Sequence, residues 1–87
     1  NLVSSNILDF IELSPDLSMV EINAPAFVTG KTLAESNLRA LYEVNVVALK
    51  RSGEIKVPPR PDEVIQREDV LVLVGRNEGL RRLEEQV

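Results

Sequence analysis

Four acidic side chains gather around one proline-rich corner of this chain: Asp62 and Glu63 in "PDE", then Glu68 and Asp69 in "RED". Their oxygens are hard donors of the kind that calcium and magnesium take. Carboxylates beside Pro58, Pro59 and Pro61 are also the ordinary make-up of a solvated turn, and no metal site is expected from them. Lys50, Arg51 and Lys56 make a small basic edge, whose usual work is to stop one strand edge from pairing with another chain. Beyond these groups the chemistry is sparse. With no His and no Cys, the chain lacks the commonest transition-metal ligands, the near-neutral proton shuttle and any thiolate. Catalysis would fall to carboxylates, Lys, Tyr42 or a hydroxyl. No Ser sits on an elbow beside a base, and no Asp/Glu pair is obviously sequestered, so an enzyme is not expected.

Charge and composition narrow the partners. Ten basic and fourteen acidic residues give a net charge of −4, and the aromatic share is 3%. That leaves neither the basic footprint nor the stacking platform of a nucleic-acid binder, so no nucleic acid is expected as a partner. No apolar run approaches the roughly 20 residues of a membrane helix, and no signal peptide opens the chain. The lack of Cys fits a reducing compartment. At 87 residues, 44% of them hydrophobic, the chain reads as one small folded domain. Asn1 is not an initiator Met, and such a start reads as a piece of a longer protein.

The elements that must carry these residues follow from periodicity. Ile7 to Leu13 is strand-like and apolar on both faces, and Ser14-Pro15 stops it. Leu17 to Pro25 alternates, with Val20, Ile22 and Ala24 on one side. Thr32-x-x-Glu35 predicts a capping box for a short helix entering at Leu33, with Ala34, Leu38 and Leu41 as its apolar stripe. Strand character resumes at Val44 and runs to Arg51. Ser52-Gly53 is a two-residue hairpin signal, and Glu54 to Val57 returns. Glu63-Val64-Ile65 adds a turn or a bridge, and Glu68-Asp69 turns the chain into a strand at Val70–Val74. Asn77 caps a last helix striped by Leu80, Leu83 and Val87, with Arg81 and Glu85 pairing on its wet side.

The order ββαβββα predicts an α+β domain: a mixed or antiparallel five-stranded sheet with two short helices. Val70–Val74 holds five consecutive apolar residues and demands cover on both faces, as does Ile7–Leu13. Two short helices cannot easily blanket both sides. A second copy of the chain is therefore expected to supply the missing layer through a symmetric interface, making the domain dimeric. The alternative is that both helices lie on one face and loops cover the other.

The run from Val20 to Glu85 resembles the TrkA C-terminal family, the C-lobe of RCK domains that regulate potassium channels and transporters. The resemblance rests on Gly30-Lys31-Thr32-Leu33, Asn37-Leu38-Arg39, Val44 to Arg51, and the Pro59…Asp62…Asp69-x-Leu71…Gly75 spacing. It divides the chain into residues 1–15, an N-terminal strand or linker segment, and residues 16–87, the TrkA-C domain. Two departures stand out, Glu43 and Glu68, at turn positions where the family often has Gly. A Glu at positive φ costs energy, so one or both turns are expected to differ.

The resemblance implies a regulatory, dimerising, ligand-binding module of a cytoplasmic potassium channel or transporter gating subunit. It implies a Rossmann-type nucleotide-binding N-lobe or companion subunit beside it, and a membrane pore subunit that holds the assembly at the inner face of the membrane. In some members cyclic di-AMP binds in a groove between two C-lobes. This chain has no GxGxxG, so a dinucleotide site belongs to a separate Rossmann lobe and no cofactor is expected here. A symmetric anion on a two-fold axis needs one cation per subunit, an apolar floor and a few amide donors. Arg39 suits the phosphate by its forked donors, Asn45 and Val46 supply amides and an apolar wall, and Leu33 and Pro59 make the floor. The competing reading pairs Arg39 with Glu35, makes Asn45 a turn residue and puts Val46 in the core. A structural assembly domain of a transporter or antiporter, with no small-molecule ligand, is the alternative function.

Overall fold

The computed structural model describes residues 7–87. The first six residues of the 1–15 segment lie outside the described residues. β1 (Ile7–Ser14) and β2 (Leu17–Asn23) form a hairpin over Pro15-Asp16, and β2 then pairs with β5 (Val70–Arg76). On the other side of β5 lies β3 (Val44–Arg51), with β4 (Glu54–Lys56) beyond it. All four pairings are antiparallel, in the order β1-β2-β5-β3-β4, so the mixed option is not used. The β3–β4 turn has φ 50° at Ser52 and 83° at Gly53, the doubly positive backbone that the Ser-Gly pair signals.

Alternation decides which face is core. Ser18, Val20 and Ile22 of β2 are buried, and Leu71 and Leu73 of β5 are fully so. Val44 and Leu49 of β3 join them, with a register shift between Val46 and Ala48. The helices send Leu33, Leu38, Tyr42, Leu80 and Leu83 into this one cluster, which Val28 and Ile65 complete from the connections. All helices therefore cover one face of the sheet.

The apolar run at Val70–Val74 is explained mostly within the sheet. Val72, only 7% exposed, points to the other face between Glu21 of β2 and Ala48 of β3. On that face Lys50 Nζ reaches Glu21 Oε1 at 3.0 Å, and their aliphatic stems shield the strand. Val70 and Val74 are half-buried. On β1, Leu8, Phe10, Ile11 and Leu13 are each about half exposed, and Leu41, Ile55 and Val57 are exposed elsewhere on the chain.

The middle helix differs from expectation. The Thr32 box is present: Glu35 N–H donates to Thr32 Oγ1 at 3.1 Å, and Thr32 N–H donates to Glu35 Oε1 at 2.9 Å. But α1 (Leu33–Ser36) stops at Asn37, whose φ of 57° and ψ of 22° are left-handed, and α2 (Leu38–Tyr42) starts in a new direction. Asn visits this region more readily than other non-Gly residues. The break lets Leu38 turn into the core while Ala34 and Leu41 stay outside, so the order is ββααβββα, with three α-helices among the described residues.

α3 (Asn77–Glu84) also starts differently. Asn77 is its first residue and does not cap it. Its Oδ1 accepts from the buried Ser18 hydroxyl at 2.7 Å, and its Nδ2 donates to the Pro15 carbonyl at 3.2 Å, tying the helix to the β1–β2 turn.

Of the two unusual glutamates, Glu43 keeps the left-handed conformation, at φ 57° and ψ 41°, whereas Glu68 is not among the positive-φ residues. Glu43→Gly should therefore raise stability by about 0.5–1 kcal/mol, the relief of a left-handed side chain less the added freedom of the unfolded glycine. A thermal melt would show it as a midpoint gain of about 2–8 °C, and a fall in the midpoint would refute it.

Candidate ligand-binding site

Where α1, α2, the start of β3 and the proline-rich connection meet, they enclose an open hollow of about 610 Å³. Leu33, Arg39, Asn45, Val46 and Pro59 all line it, with Ala40 and Pro61 beside them. The sequence places these five residues up to 26 positions apart; the fold brings them to one wall-and-floor arrangement.

Backbone hydrogen bonds hold the proline segment against α1. Leu33 N–H donates to Glu63 O at 3.0 Å, Ala34 N–H to Pro61 O at 3.0 Å, and Ile65 N–H to Lys31 O at 2.8 Å. Thr32 and Val64 form an isolated antiparallel bridge, as the Glu63–Ile65 stretch suggested.

The far end of the same segment is fixed by Arg51. Its guanidinium grips Asp69 through Nε–Oδ1 and Nη2–Oδ2, both at 2.7 Å, and also donates to Glu63 Oε2 and Val64 O, each at 3.0 Å. Asp69 is fully buried and accepts the Gln66 N–H at 2.7 Å as well. Burial by itself would raise the Asp69 carboxyl; the hydrogen bonds from Arg51 and Gln66, aided by the Arg51 and Lys56 charges, outweigh it and hold the group below the usual carboxylate range. Arg51 is pushed up, chiefly by its hydrogen bond to Asp69, against a lowering from burial.

This corrects the reading of Lys50, Arg51 and Lys56 as a basic edge. Arg51 is not an edge charge but the centre of a partly buried ion-pair network around the buried Asp69, and Lys50 and Lys56 are likewise engaged, with Glu21 and Glu63. Carboxylates of the acidic corner are paired within the chain: Asp69 and Glu63 are held by Arg51, and Asp62 by Arg60 at 3.1 Å. Among the described residues no group of three His, Cys, Asp or Glu is placed to hold a metal.

The candidate residues themselves divide. Arg39 is exposed and, among the described residues, its side chain has neither an ion pair nor a hydrogen bond. The Arg39–Glu35 pair of the competing reading is absent there, because the Glu35 carboxylate accepts the Thr32 N–H instead. Asn45 is the second residue of β3 and exposed, not a turn residue. Val46 does both jobs, packing against the core cluster and lining the hollow. Sequence reasoning missed Arg76, which joins Arg39, Glu43 and Asn45 around an adjoining hollow of about 290 Å³. Only the β3–β5 register brings it there, and no local signal announces that.

The fold is a small α+β lobe built on an antiparallel sheet, with an open hollow beside its first helices. The chain belongs to the TrkA-C domain family, whose model matches residues 17–87. It is 44% identical over 87 residues to the Ktr system potassium uptake protein C of Bacillus subtilis (strain 168), covering all of this chain and 39% of that protein. The chain thus spans about two-fifths of that relative's length. The RCK C domain of the potassium transport protein KtrA, solved in complex with cyclic di-AMP, superposes with a TM-score of 0.74 at 29% identity, over 79% of this chain and 81% of that one. An RCK_C domain dimer of S. agalactiae BusR, also in complex with cyclic di-AMP, gives 0.68 at 26% identity, over 76% and 84%. BusR has been solved with its busA-promotor DNA too. No helix among the described residues is long and apolar enough to cross a membrane.

Proposed function

We propose that this chain is the dimerising C-lobe of a potassium-transport regulator, and that its hollow takes cyclic di-AMP between two copies. The observation that carries this is the convergence of Leu33, Arg39, Asn45, Val46 and Pro59 on one concavity in which Arg39 has no ion pair among the described residues. An unpaired guanidinium over an apolar floor is suited to a phosphodiester flanked by flat bases. The ligand complexes of KtrA and BusR support the choice of ligand, and the BusR dimer supports the two-fold arrangement.

The mechanism is a population shift without catalysis. Two lobes have more than one relative arrangement, and a ligand that binds one arrangement better biases the assembly toward it. Arg39 anchors the phosphate, Asn45 and Val46 orient the ligand, and Leu33 and Pro59 support the bases. A Rossmann-type lobe and a pore subunit, outside this chain, receive the change at the cytoplasmic face of the membrane. The net charge of −4 does not favour a DNA contact by this lobe.

Thermal shift with cyclic di-AMP tests this. At a hundredfold excess over Kd, binding adds about 2.7 kcal/mol to stability and raises the midpoint clearly. Arg39→Ala should weaken binding by about tenfold or more, the loss of a charge-assisted hydrogen bond, while Arg81→Ala on α3 keeps the wild-type shift. No shift at saturating ligand would favour the structural assembly domain instead.

A further inference from the structure

We infer that Arg76 is a second phosphate-holding residue of this site, reached by exchanging its partner Asp16 for the ligand. The inference rests on the reading that the larger hollow binds a phosphodiester. The smaller hollow shares Arg39 and Asn45 with the larger one and adds Glu43 and Arg76, so the two adjoin across those shared residues. Arg76 closes β5 and immediately follows Gly75, which lies opposite Val44. A Cβ at Gly75 would stand 2.7 Å from Val44 Cγ1, so the strands approach here as closely as only glycine permits, and Arg76 is drawn beside the α2–β3 corner.

The partner that holds Arg76 now is weak. Asp16 sits on the β1–β2 turn, and the two side chains are 62% and 65% exposed. Exposed pairs of this kind add little to stability, so exchange costs little. One guanidinium can hold two phosphate oxygens in a fork, and a second adds charge and donors for the oxygens the first leaves free. Glu43 acts the other way: it lines the smaller hollow, has no ion pair among the described residues, and its charge opposes an anion there.

Isothermal titration of the purified chain with cyclic di-AMP decides it. Arg76→Ala should weaken binding by about fivefold to tenfold and flatten the dependence of affinity on salt, with Arg76→Lys intermediate because it keeps the charge but not the fork. Asp16→Asn, which frees Arg76, and Glu43→Gln should each bind as tightly as the wild type or more tightly. If the wild type binds and Arg76→Ala matches it in affinity and salt slope, this inference falls while the ligand assignment stands. If the wild type does not bind, both fall. Circular dichroism and melting of each variant separate lost binding from lost folding.

Discussion

Arg51→Ala should remove about 3–5 kcal/mol of stability, the typical effect of deleting one partner of a buried ion pair. For a chain of 87 residues the whole folding free energy is about 4–13 kcal/mol, so the variant will be marginal or unfolded at room temperature. The reason is the charge left behind. Asp69 has no exposure and draws three of its hydrogen bonds from Arg51 and Gln66. Without the guanidinium, a carboxylate remains in the interior with one amide for company.

Urea unfolding at pH 7 measures the loss, and one below about 1 kcal/mol would overturn the account. Arg51→Met combined with Asp69→Leu should be less damaging than Arg51→Ala alone, because it removes the orphaned charge along with its partner. Acid gives a second reading. The folded Asp69 carboxyl lies below its unfolded value, so its contribution is complete above the unfolded pKa and lost as pH falls through the folded one. The wild type should weaken as pH drops below about 4, and the gap to Arg51→Ala should narrow over the same range.

Gly79→Ala is expected to be the next most damaging change, against the general trend for helices. In an exposed helix interior this substitution gains about 1 kcal/mol. At Gly79, however, the new Cβ would sit 2.0 Å from the Tyr42 carbonyl oxygen, which is backbone and cannot swing away. α3 would have to lift off α2. That breaks the Arg82 Nη1 hydrogen bond to Leu41 O at 2.9 Å, moves Arg82 from its place 5.7 Å over the Tyr42 ring, and loosens the buried Leu83. Overpacking of this kind costs about 2–3 kcal/mol, a midpoint drop of about 10–20 °C in a domain this size. An unchanged or higher midpoint would mean the helices are not in close contact. Because α2 forms one wall of the hollow, the variant should also bind ligand less well.

Strand and turn positions were legible because their signals are local. Ser52-Gly53 can hardly do anything but reverse the chain, and Thr32 with Glu35 closes a box within one helical turn. The break at Asn37 was not legible, since a stripe of Ala34, Leu38 and Leu41 fits one continuous helix equally well. What decides between them is the chance for Leu38 to enter the core, and that core is made by strands distant in sequence.

The chain's own order of residues determined the number of strands, their hairpin turns and the Thr32 capping box, and the likeness to TrkA-C domains pointed to five residues that line the hollow. Those depend on short-range sterics and on patterns that survive without knowing who the neighbours are. Tertiary structure alone decided that every helix lies on one face, that Arg51 serves Asp69 and not the sheet edge, and that Arg76 stands beside Arg39. Each of these is a meeting of side chains from strands paired far apart in sequence. Register and burial set such meetings, and neither is written in any single stretch of residues.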